Sequence, residues 1–151
     1  MTGLLVLAAV IVAATLFGLW RARTDGRLRR VAGTAPGPVD GDGPTPPAPV
    51  RLTPADLGAP LGERATLVQF STAFCAPCRA TRQVLRSVSG EVDGVAHVEV
   101  DAESRLDLVR RLEVTRTPTV LVLDIDGRVV RRAAGAPSRA HVVAALGDAI
   151  S

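Results

Sequence analysis

A stretch rich in proline and glycine divides the chain into two parts. Residues 31–50 (VAGTAPGPVDGDGPTPPAPV) contain six prolines and four glycines, and their only sizeable apolar side chains are Val31, Val39 and Val50. Such a segment cannot bury enough apolar surface to form a core. Because a chain of 151 residues has room for one domain, the sequence predicts a tether here and a single folded domain over residues 51–151.

The segment before the tether is strongly apolar. Residues 3–20 (GLLVLAAVIVAATLFGLW) form an uncharged run of 18 residues. As a helix this run would extend roughly 27 Å, close to the thickness of the hydrocarbon core of a bilayer. A cleaved signal peptide is the alternative, but it requires positive charge before the run and a small-x-small cleavage site after it. We therefore expect a single transmembrane anchor at residues 3–20.

Positive charge is concentrated just after this run. Five arginines lie within ten residues, and no cationic side chain precedes the run: Arg21, Arg23, Arg27, Arg29 and Arg30. The positive-inside rule places such a flank in the cytoplasm. We expect a single-pass protein of the cell membrane in which residues 21–50 are a basic juxtamembrane segment and linker. The domain is then expected on the cytoplasmic side, with the extracytoplasmic side as the alternative.

The charge of the domain itself argues against a nucleic-acid partner. The whole chain has a formal charge of +3, but beyond residue 50 there are 13 arginines against 12 acidic residues. A nucleic-acid-binding domain normally carries a pronounced basic excess. The sequence therefore excludes this class of partner.

Residues 51–151 alternate strand-like and helix-like patterns, which favours an α/β fold with a mixed sheet flanked by helices. We expect strands at residues 65–71, 96–101, 119–124 and 128–133, the last two joined by an Asp126-Gly127 turn. We expect a short helix with Thr53 as its N-cap and Pro54 at its first position, and a second helix over residues 79–88. Ser104 is expected to cap a helix that runs to about residue 112, and Ser138 is expected to cap the last helix.

The chain has only two cysteines, Cys75 and Cys78, between a predicted strand and a predicted helix. A zinc site needs four ligands, and the two histidines, His97 and His141, lack ligand spacing. A purely structural disulfide would close too short a loop to constrain the unfolded chain much. A helix N-terminus, by contrast, lowers the pKa of a thiol. The pattern therefore favours a redox pair in which Cys75 attacks a substrate disulfide and Cys78 resolves the mixed disulfide. Arg79 is a candidate for electrostatic support of the thiolate.

The sequence around the cysteines resembles the thioredoxin family. The matching residues are Phe74-Cys75-Ala76-Pro77-Cys78-Arg79 after a strand and Thr117-Pro118-Thr119 before a later apolar strand. The resemblance covers about residues 51–151 and implies a thioredoxin-like fold. It also implies dithiol/disulfide exchange on protein substrates with reduction favoured, no cofactor or metal beyond the cysteine pair, and an electron donor as a second partner.

The resemblance implies particular roles for residues near the cysteines. The substrate-binding positions would be Phe74, Ala76, Pro77, Thr117, Pro118 and Gly135. Among these, Pro118 would be a cis-proline packed beside the cysteines, and the backbone of Thr117 would pair with substrate. A non-catalytic binding module that uses the groove beside Pro118 is the alternative function.

Three positions depart from the family pattern. The family usually has Trp where this chain has Phe74, which keeps an aromatic ring but lacks the indole N–H. The buried acid of the family falls at Gln69, and an amide cannot take a proton from Cys78 as a carboxylate can. The lysine that often faces that acid aligns with His97, which titrates near neutrality when unperturbed. Gln69 and His97 are therefore the candidates for a proton relay.

Overall fold

The computed structural model describes residues 2–24, 26–31 and 50–150. Its helices are α1 (Thr2–Thr24), α2 (Pro54–Leu57), α3 (Ala76–Glu91), α4 (Leu106–Arg111) and α5 (Arg139–Ile150). Its strands are β1 (Arg29–Arg30), β2 (Ala65–Ser71), β3 (Val95–Asp101), β4 (Thr119–Asp124) and β5 (Val129–Ala134). Most of the predicted tether, residues 32–49, lies outside the described residues.

One mixed sheet organises the described part of the domain. Its strand order is β1-β5-β4-β2-β3; β2 and β3 are parallel, and the other neighbouring strands are antiparallel. Every residue of β2 is buried, because this strand has neighbours on both edges and helices on both faces. The α/β class and the four strands predicted beyond residue 50 are confirmed.

The two faces of the sheet carry separate apolar cores. On one face, Val68 and Phe70 of β2 pack with Leu57 of α2 and Leu108 of α4. On the other, Leu67 packs with residues of α3 and α5. This alternation follows from the period-2 geometry of a strand. It also places the odd-numbered residues of β2, including position 69, under helix α3.

The helix caps agree with the sequence in two places and differ in a third. Thr53 forms a capping box with Asp56, and the Ser138 hydroxyl accepts a hydrogen bond from the His141 N–H. The predicted Ser104 cap is wrong. Helix α4 begins at Leu106, and Ser104 instead donates its hydroxyl to the carbonyl of Asp101 at 3.2 Å. A serine hydroxyl can satisfy a nearby backbone group in this way rather than cap a helix.

Residues 26–31 extend the sheet, although the sequence analysis assigned them to the juxtamembrane segment. Strand β1 pairs with β5, and Gly26 donates its N–H to the carbonyl of Ala134 at 3.2 Å. Gly26 has φ +79°, and an added Cβ would lie 2.1 Å from the carbonyl oxygen of Ala136, so only glycine fits there. Two arginines in a row gave no strand signal, which is why β1 was not predicted.

Helix α1 contains all of the apolar run at residues 3–20 and continues past Trp20 into the basic flank. Large apolar side chains on it are exposed in the isolated chain, as for Leu5 at 70% and Phe17 at 60%. In the parts of the chain that the structure describes, no helix is both long and apolar enough to cross a membrane. The transmembrane anchor predicted at residues 3–20 is therefore not confirmed.

Candidate functional site

Cys75 and Cys78 are joined by a disulfide at the N-terminus of helix α3. Cys75 is the N-cap residue, and its sulfur accepts a hydrogen bond from the backbone N–H of Cys78 at 3.2 Å. Pro77 occupies the first turn, where its missing N–H leaves no helical hydrogen bond unmade. The helix predicted from residue 79 therefore starts three residues earlier, with both cysteines at its first turn.

The environment of Cys75 favours a thiolate once the disulfide is reduced. Its sulfur already receives a backbone N–H at the positive end of the helix macrodipole, and both effects stabilise negative charge. Cys75 is half-buried, whereas only 1% of Cys78 is exposed. Cys75 is therefore the more accessible of the two cysteines, and the roles of attacking and resolving cysteine stay predictions.

Gln69 lies directly beneath the buried cysteine. Its side chain is fully buried, and Nε2 donates to the carbonyl oxygen of Cys78 at 2.9 Å. The other side-chain atom, Oε1, is buried with no hydrogen-bond partner among the described residues. The predicted position of Gln69 against Cys78 agrees with this contact. Its role in proton transfer stays a prediction.

His97 does not reach the cysteines through a hydrogen bond in the described structure. It pairs with Leu67 across β2 and β3, and its buried Nε2 has no hydrogen-bond partner among the described residues. Desolvation lowers the pKa of His97, and the nearby charge of Glu99 opposes this effect. The relay through His97 stays a prediction, without a direct contact to support it.

Glu99 is a residue near the site that the sequence analysis did not single out. It is the register partner of Gln69 on β3 and accepts hydrogen bonds from Ser71 and Arg82. Burial by itself would raise the pKa of Glu99, but these two donors outweigh it and hold the pKa below its usual value. The sheet register thus aligns Gln69 with a carboxylate on the neighbouring strand. In the sequence, Glu99 appears only as one of the polar residues that alternate with apolar ones along a predicted strand.

The Thr117-Pro118 peptide bond is cis, as the resemblance implied. The Thr117 hydroxyl lies 3.2 Å from that of Thr72, in the loop that leads to Cys75, so the two segments meet beside the disulfide. The carbonyl of Pro118 accepts the N–H of Gly135 at 2.7 Å. Gly135 has φ +109°, and an added Cβ would lie 2.9 Å from the Arg116 guanidinium. The structure therefore brings Thr117, Pro118 and Gly135 together.

The remaining predicted substrate-binding residues form an exposed rim. Ala76 and Pro77 are exposed, and the side chain of Phe74 is fully accessible at 101%. The Phe74 ring therefore presents its apolar surface to solvent. Arg79 is also exposed on the first turns of α3. Among the described residues, no group of three or more His, Cys, Asp or Glu side chains is arranged to hold a metal ion.

At the N-terminus of helix α3, Cys75 is half-buried and Cys78 is buried, and the segment with the cis-proline contacts the loop that leads to Cys75. This arrangement is that of a thiol:disulfide oxidoreductase. A family model described as thioredoxin matches residues 54–148. The chain belongs to the thioredoxin family, whose chemistry uses the cysteine pair itself without a bound cofactor. The family prediction is thereby confirmed.

Curated relatives agree with this assignment. The chain is 31% identical over 87 residues to a thioredoxin of Mycolicibacterium smegmatis, which covers 56% of this chain and 77% of the relative. It is 36% identical over 83 residues to thioredoxin C-2 of Corynebacterium nephridii. This match covers 54% of this chain and 76% of the relative.

Solved structures show the same fold. Thioredoxin f from spinach chloroplast superposes with a TM-score of 0.52 at 22% identity, over 60% of this chain and 80% of that chain. A mutant thioredoxin from Halobacterium salinarum superposes with a TM-score of 0.53 at 17% identity, over 59% of this chain and 77% of that chain. The thioredoxin-like fold predicted for the domain is confirmed.

Proposed function

We propose that the protein reduces disulfides of protein substrates. The thiolate of Cys75 attacks one sulfur of the substrate disulfide, so that a mixed disulfide forms and the other substrate sulfur leaves as a thiolate. Cys78 then loses its proton and attacks the Cys75 sulfur, which releases the second substrate thiolate. The substrate gains two electrons and two protons, and the cysteine pair is oxidised to a disulfide. A dithiol reductant, the unidentified electron donor, must then reduce the pair again.

The observation that carries this proposal is the unequal environment of the two sulfurs. Cys75 is accessible and accepts the backbone N–H of Cys78, while Cys78 is buried against Gln69. Such an arrangement makes one thiol a nucleophile toward external disulfides and keeps the other for the internal step. The Ala76-Pro77 dipeptide, similar to the Gly-Pro of reducing thioredoxins, supports reduction as the net direction.

An insulin-type reduction assay tests this function. With a dithiol as reductant, the full chain is expected to accelerate insulin precipitation, and Cys75→Ser is expected to abolish the acceleration. Phe74→Ala serves as a second variant that should lower the rate without removing it, because it trims the exposed rim but leaves both thiols. Failure of the wild-type protein, with both cysteines shown to be reduced, would leave only the non-catalytic binding module.

We also propose that the protein acts at the cell membrane, with helix α1 attaching it and the domain on the cytoplasmic side. Two observations support this location. The described apolar side chains of α1 are largely exposed in the isolated chain, and a contiguous apolar surface of this kind needs an apolar partner. Five arginines follow residues 3–20 in the sequence, as is typical of a cytoplasmic flank.

A further inference from the structure

A cleft rich in arginine lies between the β1 segment and β5, with a volume of about 320 Å³. Five arginines contribute to its lining: Arg27, Arg29, Arg30, Arg116 and Arg132. Among the residues that the structure describes, no acidic side chain lines it. Part of the cleft comes from residues 26–31 and part from the domain, so it exists only because β1 has joined the sheet.

The pairing of β1 with β5 places like charges directly opposite each other. Arg30 faces Arg131, and Arg29 faces Arg132. Like charges in such cross-strand positions destabilise a sheet unless an anion compensates them. Each of the two arginine pairs therefore needs an anion to neutralise its charge.

The first pair has its anion within the chain. Asp148 of α5 forms an ion pair with Arg131, and its other carboxylate oxygen lies 3.7 Å from the Arg30 guanidinium. These hydrogen-bonding and Coulombic contacts lower the pKa of Asp148, so the carboxylate stays ionised between the two arginines. The Arg30 and Arg131 pair is thus compensated on the α5 face of the sheet.

Among the residues that the structure describes, the second pair has no such carboxylate. Arg132 donates to the carbonyl oxygens of Leu112 and Glu113, which orient the guanidinium but do not cancel its charge. Among the described residues, no ion pair joins a carboxylate to Arg29 or Arg132. Arg29 and Arg132 instead both line the cleft.

The cleft adjoins the residues that surround the disulfide. Arg116 immediately precedes Thr117, and Thr117 contacts Thr72 in the loop that leads to Cys75. The Arg116 guanidinium also lies over Gly135, whose N–H bonds to Pro118. The Arg116 end of the cleft therefore adjoins the Thr117 and Pro118 segment, past which a substrate bound at Cys75 is proposed to run.

From this placement we propose that the cleft binds acidic residues of the substrate polypeptide, so that the preferred substrates carry Asp or Glu near the disulfide. The proposal rests on the reductase function proposed above and names its substrate class. The carboxylates of the substrate take the place between Arg29 and Arg132 that Asp148 takes between Arg30 and Arg131. Charge complementarity at the rim of such a site acts mainly on the association rate and on specificity.

Two disulfide peptides of equal length test the proposal with the full chain. One carries a run of Glu beside the disulfide, and the other carries Gln at the same positions. We expect kcat/KM to favour the acidic peptide by about two- to fivefold for each carboxylate that pairs. The preference should shrink at about 0.5 M salt, where the Debye length falls to roughly 4 Å.

Charge reversal at Arg29 is the decisive variant. Arg29→Glu replaces a repulsive cross-strand pair with an attractive one to Arg132, so the fold should be at least as stable while the acidic preference disappears. Arg110→Glu, an exposed change of the same charge on α4, should keep most of the preference. Equal loss in both variants would mean that net charge alone is responsible and would overturn the proposal.

The remaining outcomes separate this inference from the proposed function. If the wild-type protein reduces both peptides equally well, the reductase function stands and the cleft proposal fails. If it reduces neither peptide, a redox-inert version of each peptide, with Ser for Cys, still tests binding by fluorescence anisotropy, and equal affinities would overturn the proposal. If Arg29→Glu instead weakens binding to phosphatidylglycerol vesicles and leaves the peptide ratio unchanged, the cleft serves a membrane surface and the proposal is wrong.

Discussion

The two cysteines of the site differ in accessibility, and from this difference we expect Cys75 to be the one that reacts with a substrate. Cys78→Ser should therefore accumulate mixed disulfides between Cys75 and substrate proteins, because the resolving thiol is absent. Cys75→Ser is the matched control and should accumulate none. Non-reducing gels of the two variants after incubation with an oxidised substrate make the measurement. Equal alkylation rates for the two thiols in the reduced protein would contradict the assignment.

Gln69 lies under Cys78, where the family resemblance implies a buried acid, and no carboxylate among the described residues hydrogen-bonds to Cys78. Burial raises the pKa of a thiol, and an amide cannot accept its proton. Gln69→Asp should therefore speed decay of the mixed disulfide near neutral pH, by about tenfold or more. It should also lower the free energy of unfolding by about 1–3 kcal/mol, because the hydrogen bond from Nε2 to the Cys78 carbonyl is lost.

The matched control for this change is Gln69→Asn, which shortens the side chain equally but brings no carboxylate. Gln69→Asn should be less stable than the wild-type protein, but its mixed disulfide should not decay faster. Stopped-flow measurement of this decay at a series of pH values makes the comparison. An unchanged decay rate in Gln69→Asp would mean that proton transfer to β2 does not limit turnover. His97→Ala should slow the step only if the relay through His97 operates.

At the scale of single residues, motif positions were predictable and cross-strand neighbours were not. The cysteines, Pro118 and Gln69 follow from local sequence and the family resemblance. Glu99 could not be assigned to the site, because its position depends on the parallel register of β2 and β3, which aligns it with Gln69. A register of this kind is set by packing across the whole sheet rather than by local sequence.

Helix α2 depends on its capping box. The hydroxyl and the backbone N–H of Thr53 both donate to the carboxylate of Asp56, and Arg111 donates to its other oxygen. These contacts, with the Thr53 hydroxyl contributing most, lower the pKa of Asp56 from 3.8 to about 2. Thr53→Ala should lower the free energy of unfolding by about 1 kcal/mol at neutral pH. Thr53→Ser keeps the hydroxyl and should retain most of this stabilisation.

The pH dependence of that effect has a definite sign. Because the pKa of Asp56 is lower in the folded protein, the carboxylate stabilises the fold fully above pH 3.8 and loses its contribution as the pH falls through about 2. The stability difference between the wild-type protein and Thr53→Ala should therefore be constant above this window and shrink within it. Urea unfolding at a series of pH values measures it, and a difference that grows in acid would contradict the role of Asp56.

Elements with strong local signals were predicted well, and elements made by long-range contacts were not. The bounds of β2 and β4 follow from their apolar runs, and the cap of α2 follows from Thr53-Pro54. Strand β1 consists of two arginines and exists because the edge of β5 accepts it. The start of α4 was misplaced because Ser104 satisfies a backbone carbonyl instead of capping the helix.

At the scale of the whole molecule, the proposed attachment through α1 would leave the domain on one side of a membrane, and the compartment there determines whether the cysteine pair rests reduced or oxidised. The five arginines after residues 3–20 predict the cytoplasmic side. In intact cells treated with a permeant reductant, Cys75 should therefore be protected from a membrane-impermeant maleimide and become labelled after lysis. A cysteine placed on an extracytoplasmic protein controls for the reagent. Ready labelling before lysis would reverse the assignment.

Net charge at this scale hid a local asymmetry. Arginine and acidic residues nearly balance beyond residue 50, which argues against a broad basic surface. This inference uses only the net charge and not the positions of the charges. The folded chain nevertheless gathers arginines from residues 26–31 and from the domain into one cleft. Composition bounds the classes of partner, but only the fold decides which charges become neighbours.

The pairing of β1 with β5 bears on how the domain is best produced in isolation. A fragment cut at residue 51, the boundary that the sequence suggests, loses the strand that covers the edge of β5 over Arg131 and Arg132. An uncovered edge presents free N–H and C=O groups to which a second copy can add a strand. A fragment that begins at Gly26 keeps that edge covered and retains the intramolecular partner of Ala134. Crystallisation and solution work on the domain should therefore start from the longer fragment.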